Sequence, residues 1–220
     1  MAVKRVDFTP HIFDDQVEKH GYYLKHYKSL RCPCMNAQTG NHDPNCTFCQ
    51  HGWQYYDGEE IKGIMTSVMS ERQFLDTGAM MIGTVNLTVK ANVELGYHDR
   101  IVNEQSLITF SELITRGSDL VDSNRFSIVD TIRVVGKTGR IYRLDYDYEV
   151  KDGKINWILG RSKPTEGEFY SVSYRMHPTW LVLSITNVVR DTHIKFRNPA
   201  PQHHRLPVRA VCKLEYLFSE

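Results

Sequence analysis

From Ile61 onward the chain alternates apolar and polar residues with a period of two. Met81, Gly83, Val85, Leu87 and Val89 alternate with Ile82, Thr84, Asn86, Thr88 and Lys90. Tyr142, Leu144, Tyr146, Tyr148 and Val150 alternate with Arg143, Asp145, Asp147 and Glu149, and Tyr170, Val172, Tyr174 and Met176 with Ser171, Ser173 and Arg175. Successive side chains of a strand point to opposite faces, so this pattern predicts half-buried strands with one wet face. Gly136-Lys-Thr-Gly139, Asp152-Gly-Lys154 and Lys163-Pro-Thr-Glu-Gly167 separate the runs with hairpin and turn chemistry. Many short strands joined this way predict a mainly β fold, an antiparallel β-barrel or sandwich, over residues 61–220. Ser111 to Arg116 fits a short helix or a further strand equally.

Residues 1–60 read differently. Phe13, Val17, Leu24 and Tyr27 fall near helical spacing, with Asp14 and Asp15 early and Lys25 and Lys28 late, as the helix dipole favours. They predict an N-terminal helix from His11 to Ser29, loosened at Gly21 and followed by a small cysteine-bearing extension. The expected organisation is therefore a helix and metal-binding loop (1–60) ahead of a β domain with a C-terminal arm (61–220).

Composition adds few constraints. The chain has 220 residues, 41% hydrophobic and 24% charged, with a formal net charge of +1. It can bury a substantial core, and no global field steers it toward nucleic acid or acidic membranes. The first residues lack the apolar run of a signal peptide, and no stretch approaches a membrane span. A reducing cytoplasm is expected, where clustered thiols bind metal more often than they form disulfides.

Four of the five cysteines lie within residues 32–49: Cys32, Cys34, Cys46 and Cys49, two close pairs around a polar loop of eleven residues. This layout predicts a structural Zn2+ site, closed because four protein ligands leave no open position. Cys32-Pro-Cys34 is one residue shorter than the usual pair, so His51 or His42 is a candidate substitute ligand. Unliganded thiols or a disulfide are the alternatives. Cys212, in an apolar context, is expected in the core.

Other chemistry is sparse. Asp145 and Asp147 share a strand face in this reading, but a glycosidase pair needs one carboxyl desolvated in a cleft. No nucleophile elbow, phosphate loop or nucleotide fingerprint occurs, and an enzyme is not expected. Arg175 to Lys213 holds seven basic residues and one acid, Asp191. Within it Arg190, Lys195, Arg197, Arg205 and Arg209 are candidates to face DNA or an acidic partner. The Pro-rich segment Asn198 to Pro207 reads as a surface arm. Tyr146, Tyr148, Tyr170 and Tyr174 could stack on bases in a zinc-ribbon or OB-like nucleic-acid-binding protein, or fill a core.

The run Arg140-Ile-Tyr-Arg-Leu-Asp-Tyr-Asp-Tyr-Glu-Val150, then Gly153-Lys-Ile-Asn-Trp157, Pro164-Thr-Glu-Gly167 and Tyr170-Ser-Val-Ser-Tyr174-Arg-Met-His-Pro178, resembles a β-rich module of tailed-bacteriophage structural proteins. Val93-Glu-Leu-Gly-Tyr-His-Asp-Arg-Ile101 is similar to a short turn in those proteins. Leu30-Arg-Cys-Pro-Cys34 with Asp43-Pro-Asn-Cys-Thr-Phe-Cys49 resembles a zinc-binding element of phage neck or collar proteins. The resemblance implies a virion component at the head-to-tail junction, a homo-oligomeric ring around the DNA channel. Its neighbours would be portal or adaptor and tail-terminator proteins, with packaged DNA as a further candidate contact; a tail or baseplate position is the alternative. It implies no catalytic residues.

Overall fold

The period-two segments do form strands, and the N-terminal segment supplies one of them. The computed structural model describes residues 10–36, 38–44, 46, 48–49, 52–67, 82–186, 191–194 and 202–218. Helix α1 (Pro10–His20) is followed by β1 (Tyr22–Arg31), β2 (Trp53–Ser67), β3 (Thr84–Val89), β4 (Arg100–Val102) and β5 (Ile108–Thr115). Then come β6 (Val121–Asp122), β7 (Asp130–Gly136), β8 (Ile141–Tyr142), β9 (Tyr148–Lys151) and β10 (Lys154–Trp157). The chain ends with β11 (Phe169–Met176), β12 (Thr179–Ile185), β13 (Asp191–Ile194), β14 (Gln202–Arg205), β15 (Val208–Leu214) and a 3-10 turn, Glu215–Phe218.

Six strands close into an antiparallel barrel in the order β1-β2-β3-β15-β12-β4, with β4 pairing back to β1. Its interior is packed with Leu24, Ile61, Leu87, Val89, Ile101, Trp180, Val182, Val208, Ala210 and Cys212. Each large aliphatic side chain so buried contributes about 1.5–3 kcal/mol before the ordering entropy is subtracted. Cys212 is fully buried, as its apolar neighbours predict. Closure also leaves the barrel no unpaired edge.

The N-terminal helix is shorter than expected. It stops at His20, and the residues read as its second half are β1. Gly21 makes the switch: its N–H bonds the Val17 carbonyl, and any Cβ there would lie 2.4 Å from that oxygen. Leu24 and Tyr27 satisfied a helical spacing by coincidence, and cross-strand pairing decided their conformation, Leu24 with Ile61 of β2 and Tyr27 with Arg100 of β4. A boundary at residue 60 consequently falls inside β2.

Spatial contacts divide the chain elsewhere. Residues 1–104 and 179–220 form one unit, and residues 105–178 form a second, inserted between β4 and β12. The inserted unit holds a four-stranded sheet, β5-β11-β7-β8, and a three-stranded sheet, β6-β10-β9. In β11 the alternation is as predicted: Tyr170, Val172, Tyr174 and Met176 are buried. Ser111 to Arg116, left undecided by its pattern, is mostly strand β5. The β9–β10 hairpin turns on Asp152 and Gly153, both at positive φ (52° and 70°), the type I′ geometry that Asp-Gly favours.

One predicted strand breaks in two. Residues 141–151 form β8, a turn and β9, with Asp145 in the left-handed region at φ 61°. Asp147 is buried and accepts the Arg143 N–H at 2.9 Å, closing the turn, whereas Asp145 is exposed. The two carboxylates therefore do not share a strand face.

At the centre of the inserted unit, Trp157 packs edge-on against Tyr142 and Tyr170 at ring separations of 5.0 and 5.2 Å. Asp122 organises the polar side of this core. Trp157 Nε1 and Tyr170 Oη each donate to its Oδ2 at 2.7 Å, and Arg116 Nη1 and the Gly117 N–H donate to its Oδ1 at 3.0 and 2.8 Å. Burial, followed by the Asp122 hydrogen bond, pushes the Tyr170 phenol far above its ordinary value, so it stays a donor.

Candidate metal centre

The β1–β2 connection leaves the barrel at Cys32 and returns at Gly52, closed at its base by the Cys32 N–H bonding the Gly52 carbonyl at 2.8 Å. Two turns with a proline in second place set the cysteines. In Cys32-Pro-Cys-Met35 the Met35 N–H bonds the Cys32 carbonyl at 3.1 Å, and from Asp43 and Pro44 onward the Cys46 N–H bonds the Asp43 carbonyl at 3.1 Å. Between them Asn36 Oδ1 accepts the N–H groups of Gln38 and Thr39, and the Asn36 N–H bonds the Asn41 carbonyl at 2.8 Å.

These turns bring the sulfurs of Cys32, Cys34, Cys46 and Cys49 within 4.8 Å of one another. Two close approaches cross between the pairs: Cys32 to Cys46 at 3.8 Å and Cys34 to Cys49 at 3.5 Å. A tetrahedron of thiolates around a metal at about 2.3 Å has sulfur–sulfur edges of about 3.8 Å. A disulfide would need about 2.05 Å, and all five cysteines are free. Four sulfurs close enough to hold a metal ion are therefore in place, and the short Cys-x-Cys spacing did not prevent it.

Hydrogen-bond donors reach the sulfurs, but against the Asp43 N–H, burial and the Cys32 sulfur hold the Cys34 thiol above its ordinary value. Backbone N–H groups of Asp43, Phe48 and Gly52 hydrogen-bond the sulfurs of Cys34, Cys46 and Cys49, and Gln54 Nε2 donates to Cys32 Sγ at 3.5 Å. The Phe48 N–H leads in drawing the Cys46 thiol down. Burial, then crowding by the Cys34 sulfur, pushes the Cys49 thiol up to about 12. A central dication resolves this conflict, because it favours deprotonation of all four together. Of the substitute ligands, His42 is half-buried against Gly52 and outside the group of four, and His51 lies outside the described residues.

The connection is anchored to the barrel by residues that the sequence pattern did not single out. Trp53, the first residue of β2, stacks on His98 with ring centroids 4.5 Å apart and planes 8° from parallel, while the Arg31 guanidinium lies 5.6 Å above its ring. His98 adopts φ 66°, and the next residue, Asp99, is buried. Asp99 accepts the Ser29 N–H at 2.9 Å and the Gly96 N–H at 2.6 Å, and sits 2.7 Å from His26 Nε2. The only sequence signal was Gly96-Tyr-His-Asp-Arg100, which reads as a turn without naming its partners on β1.

Burial raises the Asp99 carboxyl, but the hydrogen bonds from His26, Gly96 and Ser29 outweigh it, and the net shift is downward. A lowered folded-state value gives stability that is present above the unfolded value of about 4 and lost as pH falls through the folded one. Denaturant titrations at pH 7 and in the acid range should show the wild type losing stability on acidification. Asp99→Asn should be weaker at pH 7 and lose less on acidification.

The remaining candidates are not gathered into one site. Among the described residues, Arg209 is exposed on β15, and Arg205 stands opposite Asp191 in the β13–β14 ribbon. Arg190, Lys195 and Arg197 lie outside the described residues, as do residues 198–201 of the expected arm, whose residues 202–205 are strand β14. Arg175 belongs to the inserted unit and pairs with Asp130 at 3.1 Å, so it leaves the basic group assembled from sequence. Tyr148, Tyr170 and Tyr174 are at most 2% exposed and cannot stack on bases. Tyr146 is exposed, with the Arg161 guanidinium 4.5 Å above its ring.

No known protein family matches the chain, and no characterised protein matches it. The chain shows a mainly β fold with a closed six-stranded barrel and a four-cysteine cluster able to hold a metal ion.

Proposed function

We propose that the protein is a non-enzymatic structural component of a tailed-phage virion, assembled in the host cytoplasm as a homo-oligomeric ring at the head-to-tail junction. The observation that carries this reading is how the chain is elaborated around its closed barrel. The additions are a loop between β1 and β2 that gathers four cysteines, a separate β13–β14 ribbon between β12 and β15, and a β unit inserted between β4 and β12. A closed barrel offers neighbours no edge, so a subunit that must be gripped needs such additions. The inserted unit supplies one edge directly, since β5 is the outer strand of its sheet.

Zn2+ is the proposed metal, because four thiolates suit a soft, tetrahedral, redox-inert dication. Cys32, Cys34, Cys46 and Cys49 would hold it with no position left for substrate, and its contribution is folding energy for a loop with no core of its own. The partners in this reading are further copies of the chain and the portal-side and tail-terminator proteins. In this reading Arg205 of the ribbon and Arg209 of β15 would meet packaged DNA or an acidic neighbour.

Negative-stain electron microscopy and sedimentation of the concentrated, zinc-loaded full chain test this. Closed rings of many copies, without affinity for short DNA, are expected. A monomer that takes up short single-stranded DNA with steep salt dependence would replace the proposal with the nucleic-acid-binding alternative.

A further inference from the structure

Two polar atoms inside the barrel wall meet no protein partner among the described residues: Nδ1 of His26 and Nε1 of Trp180. Both residues are interior, His26 at 1% exposure and Trp180 at 9%. They are also aligned. Ile101 on β4 is the direct cross-strand partner of His26 on β1 and of Trp180 on β12, and it is fully buried. The three residues form one row across β1, β4 and β12, with their side chains on the inner face.

Strands about 4.8 Å apart put the outer two Cα atoms roughly 10 Å from each other. The imidazole and the indole flank Ile101 as the two outer members of that row, and each carries one of the unpaired nitrogens. The two ends are chemically complementary. An indole N–H only donates. The Asp99 carboxylate only accepts, already takes two backbone N–H groups, and lies 2.7 Å from His26 Nε2, so that nitrogen carries the proton. His26 Nδ1 is then left with a buried lone pair that no protein group among the described residues meets.

We infer that one structural water molecule is bound inside the barrel, accepting from Trp180 Nε1 and donating to His26 Nδ1. Water is the ligand that fits, being small, neutral, and both donor and acceptor. An apolar filling would leave both nitrogens desolvated and unpaired. The water completes a polar chain from β12 through His26 to Asp99, and from there to the N–H groups of Ser29 and Gly96. It thus ties the barrel interior to the strand that leads into the cysteine loop. This holds whether or not the protein forms rings.

Nuclear magnetic resonance on the isotope-labelled full chain decides the matter. The Trp180 indole proton, once shown to exchange slowly, should cross-relax with a water resident for longer than nanoseconds. The His26 ring should show its proton on Nε2. In His26→Phe the water cross-peak should vanish while the indole signal remains. A protected indole proton with no water cross-peak, or a His26 proton on Nδ1, would overturn the assignment. Both of those readings come from the wild type, so the test survives a His26→Phe chain that does not fold.

Discussion

Cys46→Ser combined with Cys49→Ser is expected to abolish stoichiometric metal binding and unfold the β1–β2 connection while the barrel persists. Two of four thiolates are lost, and a hydroxyl does not ionise to replace them. Structural zinc in small peptides contributes on the order of 10–16 kcal/mol of apparent binding energy at neutral pH. A loop held otherwise by turns and a few backbone hydrogen bonds has nothing comparable. Elemental analysis of the purified variant should find no bound zinc, and limited proteolysis should cut between residues 32 and 52, where the wild type resists. The barrel melting temperature should move little, because none of its core residues comes from the connection. Chelation of the wild type should reproduce the proteolysis pattern, and acid should release the metal as protons compete for the sulfurs. Retained stoichiometric metal in the double variant would refute the four-sulfur site.

The second large effect is expected at Asp122. Asp122→Ala removes the acceptor for four donors at once: the Arg116 guanidinium, the Gly117 N–H, the Trp157 indole and the Tyr170 hydroxyl. Arg116 is 3% exposed, so its charge would stay buried without its carboxylate. Breaking a buried ion pair from one side costs about 3–5 kcal/mol, a large share of the stability of a unit spanning residues 105–178. Hydrogen exchange should show β6, β10 and β11 losing protection, with strands β1 and β2 of the barrel retaining it. Asp122→Asn should fall between wild type and Asp122→Ala, since it keeps an acceptor but turns an amide N–H toward other donors. Equal protection of β10 and β11 in wild type and Asp122→Ala would show that Asp122 does not hold that core.

Both effects concern groups of different legibility. The cysteines could be read directly, because a metal-ligand set in a short polar loop is specified by local spacing and turn residues. Asp122 was invisible: its partners lie as far as 48 residues away, and nothing in Leu120-Val-Asp122 distinguishes it from a surface acid. Asp99 was hidden in the same way, with Ser29 and His26 more than 60 residues distant.

The sequence by itself determined that the chain is mainly β, and its period-two runs placed β3 and β11. It marked the hairpin at Asp152-Gly153, the inward set of β11, the burial of Cys212 and the four-cysteine cluster, all of which depend on side-chain period or on neighbours within a few residues. Only the tertiary structure decided that residues 22–31 join a barrel instead of extending α1, that the run 141–151 breaks at Asp145, and that residues 105–178 form an inserted unit. Period two says that a strand has an inner face but not which strand will lie beside it. Pairing partners are chosen by closure of the barrel and by the buried carboxylates Asp99 and Asp122, whose donors come together only when distant segments do.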